Sequence, residues 1–163
     1  MVRMIEAIEV NGTKSVQPIS FLTNRDLYSS VLEARRNNIN VPIYVAENQE
    51  VLNASRGQKL NSGDSILAIT SFPVPSLLTE LIQNPPILIL EDILNAENVG
   101  SILCTAFCLG ITSVVASPTT WAALKDTRAA RCSMGTIYYH RFVRSNSLSE
   151  TIQEMQKCSG ITV

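Results

Sequence analysis

The segment N-A-E-N-V-G-S-I-L-C-T-A at residues 95–106 puts an amide, a glycine and a thiol at Asn98, Gly100 and Cys104. Asn98 can cap a helix by accepting a hydrogen bond from a free backbone N–H, and Gly100 lets a ligand or another backbone come close. The plainer alternative is an ordinary cap and a packing glycine. Cys104 and Cys108 stand one helical turn apart, a spacing that can hold a metal, but His140 is the only histidine and no third ligand is near in sequence. The two thiols are therefore read as small buried hydrophobes, and no metal is expected. A second segment, K-D-T-R-A-A-R-C-S-M-G-T-I-Y-Y-H-R-F-V-R at 125–144, gathers Lys125, Arg128, Arg131, Arg141 and Arg144 against Asp126 alone. Local positive charge of this kind attracts phosphate, and the interleaved Tyr138, Tyr139 and Phe142 could stack on unpaired bases. Ser133 and Gly135 add a hydroxyl and a point where backbone amides can meet a ligand. Against this stands the commoner pattern of a solvated charged face over core aromatics.

The totals bound what can position these groups. With 163 residues and 45% hydrophobic content, the chain is long enough for a real core. A formal charge of −1 excludes a globally basic nucleic-acid binder, so any such surface must be local. The four cysteines form no C-x-x-C pair, which predicts reduced thiols in a cytoplasmic setting. No apolar run reaches signal-peptide or membrane-span length, so no membrane is expected, and the glycosylation-type triplets at Asn11 and Asn53 are read as chance.

Periodicity supplies the elements. Helices are predicted over 25–38, 48–55, between Pro75 and Pro85, and over 98–109, 120–132 and 147–158; strands over 41–47, 65–71, 87–91, 112–117 and 135–143, with 160–163 opening another. In the helix over 98–109, Val99, Ile102, Leu103 and Ala106 share one face, and Gly100, Cys104 and Cys108 form a separate stripe. Strands separated by helices call for a parallel sheet covered on both faces. The prolines near 75–86 place a boundary there: an N-terminal α/β segment at 1–84 and a second α/β domain at 85–163.

The two motifs also carry a resemblance. N-A-E-N-V-G-S-I-L-C-T-A and R-C-S-M-G-T resemble D-P-x-N-x-G-x-x-x-R-x-A and R-x-S-[AM]-G, the first two signatures of the SpoU (TrmH) family of RNA 2′-O-ribose methyltransferases in the SPOUT superfamily. Residues 19–55 are more faintly similar to the substrate-binding segment that precedes the catalytic domain in many members. The resemblance implies a SPOUT-like α/β-knot domain and transfer of a methyl group from S-adenosylmethionine to a ribose 2′-hydroxyl of tRNA or rRNA, usually by a homodimer. It implies that Asn98 orients the nucleophile or a nearby phosphate and that Gly100 and Ala106 are packing positions. Arg131, Ser133 and Gly135 match the second motif, with Arg131 a candidate catalytic residue as well as an RNA contact, and Ser133 and Gly135 the candidate cofactor contacts. Cys104 occupies the position of the arginine that activates the hydroxyl, and a thiol offers no planar cationic fork. The third motif, which builds the knot and most of the cofactor pocket, would lie beyond Val163, so the expectation is a domain incomplete at its C-terminus. Two functions follow: an RNA methyltransferase, inactive in this form unless a longer form, a partner or Arg128 supplies what is missing, or a catalytically silent RNA-binding or interaction protein of that descent. A Rossmann-type nucleotide binder fits less well, because no G-x-G-x-x-G follows a strand.

Overall fold

A computed structural model describes residues 18–34, 41–47, 66–72 and 74–159. The expected helix at 48–55, the terminal strand at 160–163 and both glycosylation-type triplets lie outside the described residues. The chain divides into two compact units, 1–72 and 73–163, so the division falls before the helix at Leu78–Ile82 rather than after it. That helix belongs with the second unit because Leu81, fully buried, packs with Val115 and Met155.

In the first unit a strand β1 (Pro18–Asn24) leads through helix α1 (Tyr28–Ala34) to β2 (Ile43–Ala46), and β3 (Ile66–Thr70) follows. The sheet order is β2-β1-β3, with β1 parallel to β2 and antiparallel to β3. The α1 crossover allows the parallel pair. The turn into α1 is closed by Asn24, whose Oδ1 accepts from the Leu27 N–H at 3.1 Å. Phe21 and Val31 are buried to 1% exposure. No strand was expected at 18–24, where the apolar residues do not alternate cleanly and Pro18 opens the run.

The second unit is a three-stranded parallel sheet in the order β4-β5-β6: β4 (Ile87–Leu90), β5 (Ser113–Ala116) and β6 (Arg141–Arg144). Alternation sends Ile87, Ile89, Val115 and Val143 to one face, where α2 (Leu78–Ile82) and α6 (Leu148–Ser159) cover them through Leu81, Leu148, Ile152 and Met155. Leu90, Val114 and Phe142 point to the other face, where Trp121 meets Phe142 edge-on at 6.3 Å between ring centroids. That face carries α3 (Ala96–Cys108), α4 (Pro118–Leu124) and α5 (Thr127–Cys132). Each fully buried Leu, Val or Phe contributes about 1.5–3 kcal/mol by leaving water.

Two expectations change here. The helix predicted over 120–132 is two helices, because Asp126 takes an extended backbone and caps the second through its own side chain. Residues 135–143 are not one extended segment. Met134 and Gly135 are left-handed (φ 54° and 82°), Thr136–Tyr139 form a 3₁₀ turn, and only Arg141–Arg144 pair in the sheet. The β-branched and aromatic composition was misleading because the Ser133 hydroxyl accepts from the Ile137 N–H at 3.3 Å and so tightens the turn. Among the described residues, no helix is long and apolar enough to cross a membrane.

Candidate functional site

The site grows from the loop after β4. Residues 91–95 end in Asn95, which caps α3: its Oδ1 accepts from the backbone N–H groups of Glu97 at 2.8 Å and Asn98 at 3.0 Å. The cap is therefore Asn95, not Asn98 as expected. Asn98 lies in the first turn, with an exposed side chain that takes no part in capping. Replacing Asn95 by alanine is expected to cost about 1 kcal/mol, the usual worth of an N-cap. Asn98→Ala is expected to stay within about 0.5 kcal/mol of the parent. Urea melts compare the two, and the reverse ranking would refute the capping assignment.

Loop 91–95 does not hold itself. Ser117, which follows β5, accepts from the Asp92 N–H at 3.0 Å and donates to Asp92 Oδ1 at 3.1 Å. Thr120 Oγ1 accepts from the Ile93 N–H at 2.9 Å. Asp92 sits at φ 47°, a left-handed conformation that a non-glycine residue holds only when its surroundings enforce it. Nothing local in the sequence marks Ser117 and Thr120 as partners of this loop, although Ser117 before Pro118 is the ordinary signal of a cap followed by proline in the first turn.

Gly100 joins the two motifs. A Cβ built there would stand 2.5 Å from the Ala129 carbonyl oxygen, 2.8 Å from Cys132 Cβ and 2.9 Å from the Ser133 nitrogen. What approaches Gly100 is thus the backbone of α5, and Gly100 belongs to the buried face of α3 with Ala96, Val99, Leu103 and Ala106. Ile102 turns instead toward a shallow apolar groove of about 350 Å³ shared with Leu88, Leu109 and Ile111. One turn after Gly100, Cys104 is half-buried, and Cys108 is exposed; both are free thiols. Glu97 lies close enough to Arg128 to help hold its charge. Gly100 thus packs α3 against the R-C-S-M-G segment through buried atoms, while Asn98, two residues earlier and so about 160° round the helix, is exposed.

The cations do not all share it. Arg128 is clamped on Asp126 at 2.7 Å, and this hydrogen bonding holds the Asp126 carboxyl down to about 2. Arg131 is exposed at the end of α5, and Lys125 lies over the Trp121 ring at 6.0 Å. Arg144 ends β6 beside Ala116 and so sits at the carboxyl edge of the sheet with loop 91–95. Arg141 pairs with Ser113 at the opposite end, about 10 Å away along the strand and on the other face. Ser133 is completely buried: its hydroxyl donates to the Ala130 carbonyl at 2.9 Å, and the Gly135 N–H also bonds to Ala130. The polar groups of both cofactor candidates are thus engaged within the turn itself, so they do not offer an adenosyl group a donor.

Residues 85–163 match the model of the SpoU rRNA Methylase family. Residues 85–163 form a SpoU-family domain. No curated protein matches the sequence. Solved structures that the chain is similar to include the SpoU methyltransferase AviRb from Streptomyces viridochromogenes in complex with AdoMet (TM-score 0.71, 20% identity, 98% of this chain and 59% of that one). An AdoMet-bound rRNA methyltransferase from Sinorhizobium meliloti gives 0.67 at 15% identity, over 98% and 56% of the two chains. An RNA 2′-O ribose methyltransferase gives 0.60 at 16%, over 96% and 57%. The chain thus spans between half and two thirds of the length of each of these structures.

Within the SpoU domain one titratable group is deeply placed. His140 is 1% exposed between Phe107 and Phe142, and its Nδ1 donates to the Thr136 carbonyl at 2.9 Å. Burial pushes the imidazole below its ordinary 6.5, and the hydrogen bond only partly offsets this. The folded state therefore keeps His140 neutral while the unfolded chain takes up a proton below about 6.5. Stability due to this group is flat above that pH and falls as pH drops below it, by at most about 1.4 kcal/mol per pH unit. His140→Phe is expected to remove that part of the acid slope in melts between pH 7 and 5; an unchanged slope would refute the buried neutral state.

Proposed function

We propose that this chain is the RNA-engaging part of a SpoU-type methyltransferase, acting as a cytoplasmic homodimer on a ribose 2′-hydroxyl of tRNA or rRNA, with residues before 85 helping to bind the RNA. What supports this reading is the family match of residues 85–163, together with the Gly100 contact that packs the helix of the asparagine motif against the helix of the arginine motif. A 2′-hydroxyl is a poor nucleophile until its proton is removed, and attack must be in line with the methyl–sulfur bond, so the work is positioning and deprotonation. In this proposal Asn98 orients the hydroxyl, and Arg131 and Arg144 hold the neighbouring phosphates. S-adenosylmethionine supplies an electrophilic methyl group.

Cys104 favours a second reading, in which the chain binds RNA without transferring a methyl group. Incubation with unmodified rRNA or tRNA and methyl-labelled S-adenosylmethionine separates the two: label in a 2′-O-methyl nucleoside supports the enzyme, and RNA binding without label supports the binder. Either way, affinity should fall as salt rises, with a slope that becomes shallower by about 0.7–0.9 when Arg131 or Arg144 is replaced by alanine. Arg128→Ala is expected to change it less, because Asp126 already pairs that charge. RNA affinity indifferent to salt would overturn both readings.

A further inference from the structure

We infer that Ser117 and Thr120 are positioning residues for Asn98, acting through the loop after β4. This rests on the RNA-methyltransferase reading of the site. The two hydroxyls come from the start of α4, on the crossover after β5, yet they accept from consecutive backbone amides of the other loop, Asp92 at 3.0 Å and Ile93 at 2.9 Å. Ser117 is 5% exposed and Thr120 is fully buried, so the accepting hydroxyls are shielded even though Asp92 is exposed. Ser117 further holds the Asp92 carboxylate at 3.1 Å, and its own N–H donates to the Leu90 carbonyl at 3.0 Å, tying the end of β4 to the end of β5.

The consequence is a fixed path. Asp92 is held in its left-handed conformation, the chain leaves it in one direction, and Asn95 arrives where its side chain caps α3. Asn98, one turn further, inherits that direction. An α3 frayed at its first turn would leave Asn98 pointing in several directions, and a hydroxyl-orienting amide is effective only when held within a narrow range of geometries. A simple cap of α4 would require only the Thr120 N–H to Ser117 bond, which is the longest of the set at 3.4 Å. The three bonds to the other loop, at 2.9, 3.0 and 3.1 Å, are shorter than either bond between Ser117 and Thr120.

The readout is discrimination of RNA from DNA of the same sequence, because the 2′-hydroxyl is what differs. The unmodified chain is expected to prefer the RNA oligonucleotide. Asn98→Ala, Thr120→Val and Ser117→Ala are each expected to cut that preference by about 3- to 10-fold, the worth of one neutral hydrogen bond. Combining Thr120→Val with Asn98→Ala should cut it no further, and Thr120→Ser, which keeps the hydroxyl, should restore it. The salt slope should stay the same throughout, since the arginines are untouched. Preference retained in folded Thr120→Val and Ser117→Ala but lost in Asn98→Ala overturns the clamp and leaves the functional reading standing. Equal affinity of the unmodified chain for RNA and DNA, or preference unaffected by Asn98→Ala, overturns the role of Asn98 and the inference with it. Thr120→Val is nearly isosteric, so it decides the matter if Ser117→Ala fails to fold.

Discussion

Gly100→Ala is expected to destabilise the SpoU domain by about 2 kcal/mol, although the same change in an exposed helix interior gains up to about 1 kcal/mol. The sign reverses because of what the added methyl meets. Two of the three nearest atoms, at 2.5 and 2.9 Å, are backbone atoms of α5, and the third, at 2.8 Å, is a Cβ. None lies at the end of a flexible side chain that could swing aside. Relief requires α3 and α5 to separate, and overpacking of this kind costs about 1–3 kcal/mol before any helix gain is subtracted. Gly100→Val should exceed that range and should also lower RNA affinity, because separation displaces the helix that carries Asn98 from the helix that carries Arg131. Urea denaturation measures the first effect and filter binding the second. A Gly100→Ala protein at least as stable as its parent would show that the two helices do not meet as described.

Cys104→Arg is expected to raise methyl transfer to RNA by about 10²- to 10³-fold, the usual contribution of a well-placed hydrogen-bond donor to a developing oxyanion. Position 104 follows Gly100 by one helical turn, on the side of α3 that faces α5, and is half-buried, so part of the side chain already reaches solvent. A guanidinium there would supply the charge and planar fork that a thiol lacks. The check is labelled methyl transfer, with RNA and S-adenosylmethionine binding measured on the same protein. A Cys104→Arg chain that binds both and transfers no more label than its parent would overturn the role given to an arginine at this position.

Neither prediction could have been sized from sequence alone, though both positions were legible there. The β4–α3 unit reads clearly because a four-residue apolar run followed by a 3.6-period stripe is a local pattern, set by residues within a few turns of one another. The same locality marked Asn98, Gly100, Cys104 and Arg131 as one family's motif positions. Local reasoning failed where a partner distant in sequence decided the outcome. The cap is Asn95 rather than Asn98, and the loop that delivers it is tied to Ser117 and Thr120, more than twenty residues on. Residues 135–139 left the sheet because Ser133 caps a left-handed turn.

Sequence by itself determined the alternating α/β order of the second unit, the type of each main helix and strand, and the residues that resemble a SpoU site. Only the tertiary structure decided which of them meet. Gly100 touches α5, whereas Arg141 and Arg144, three residues apart in a charged run, project from opposite faces and opposite ends of β6. The physical reason is that composition and period report on one element at a time. A shared site depends on where separate elements pack, and that is set by side-chain volume, strand pairing and hydrogen bonds between segments far apart in the chain.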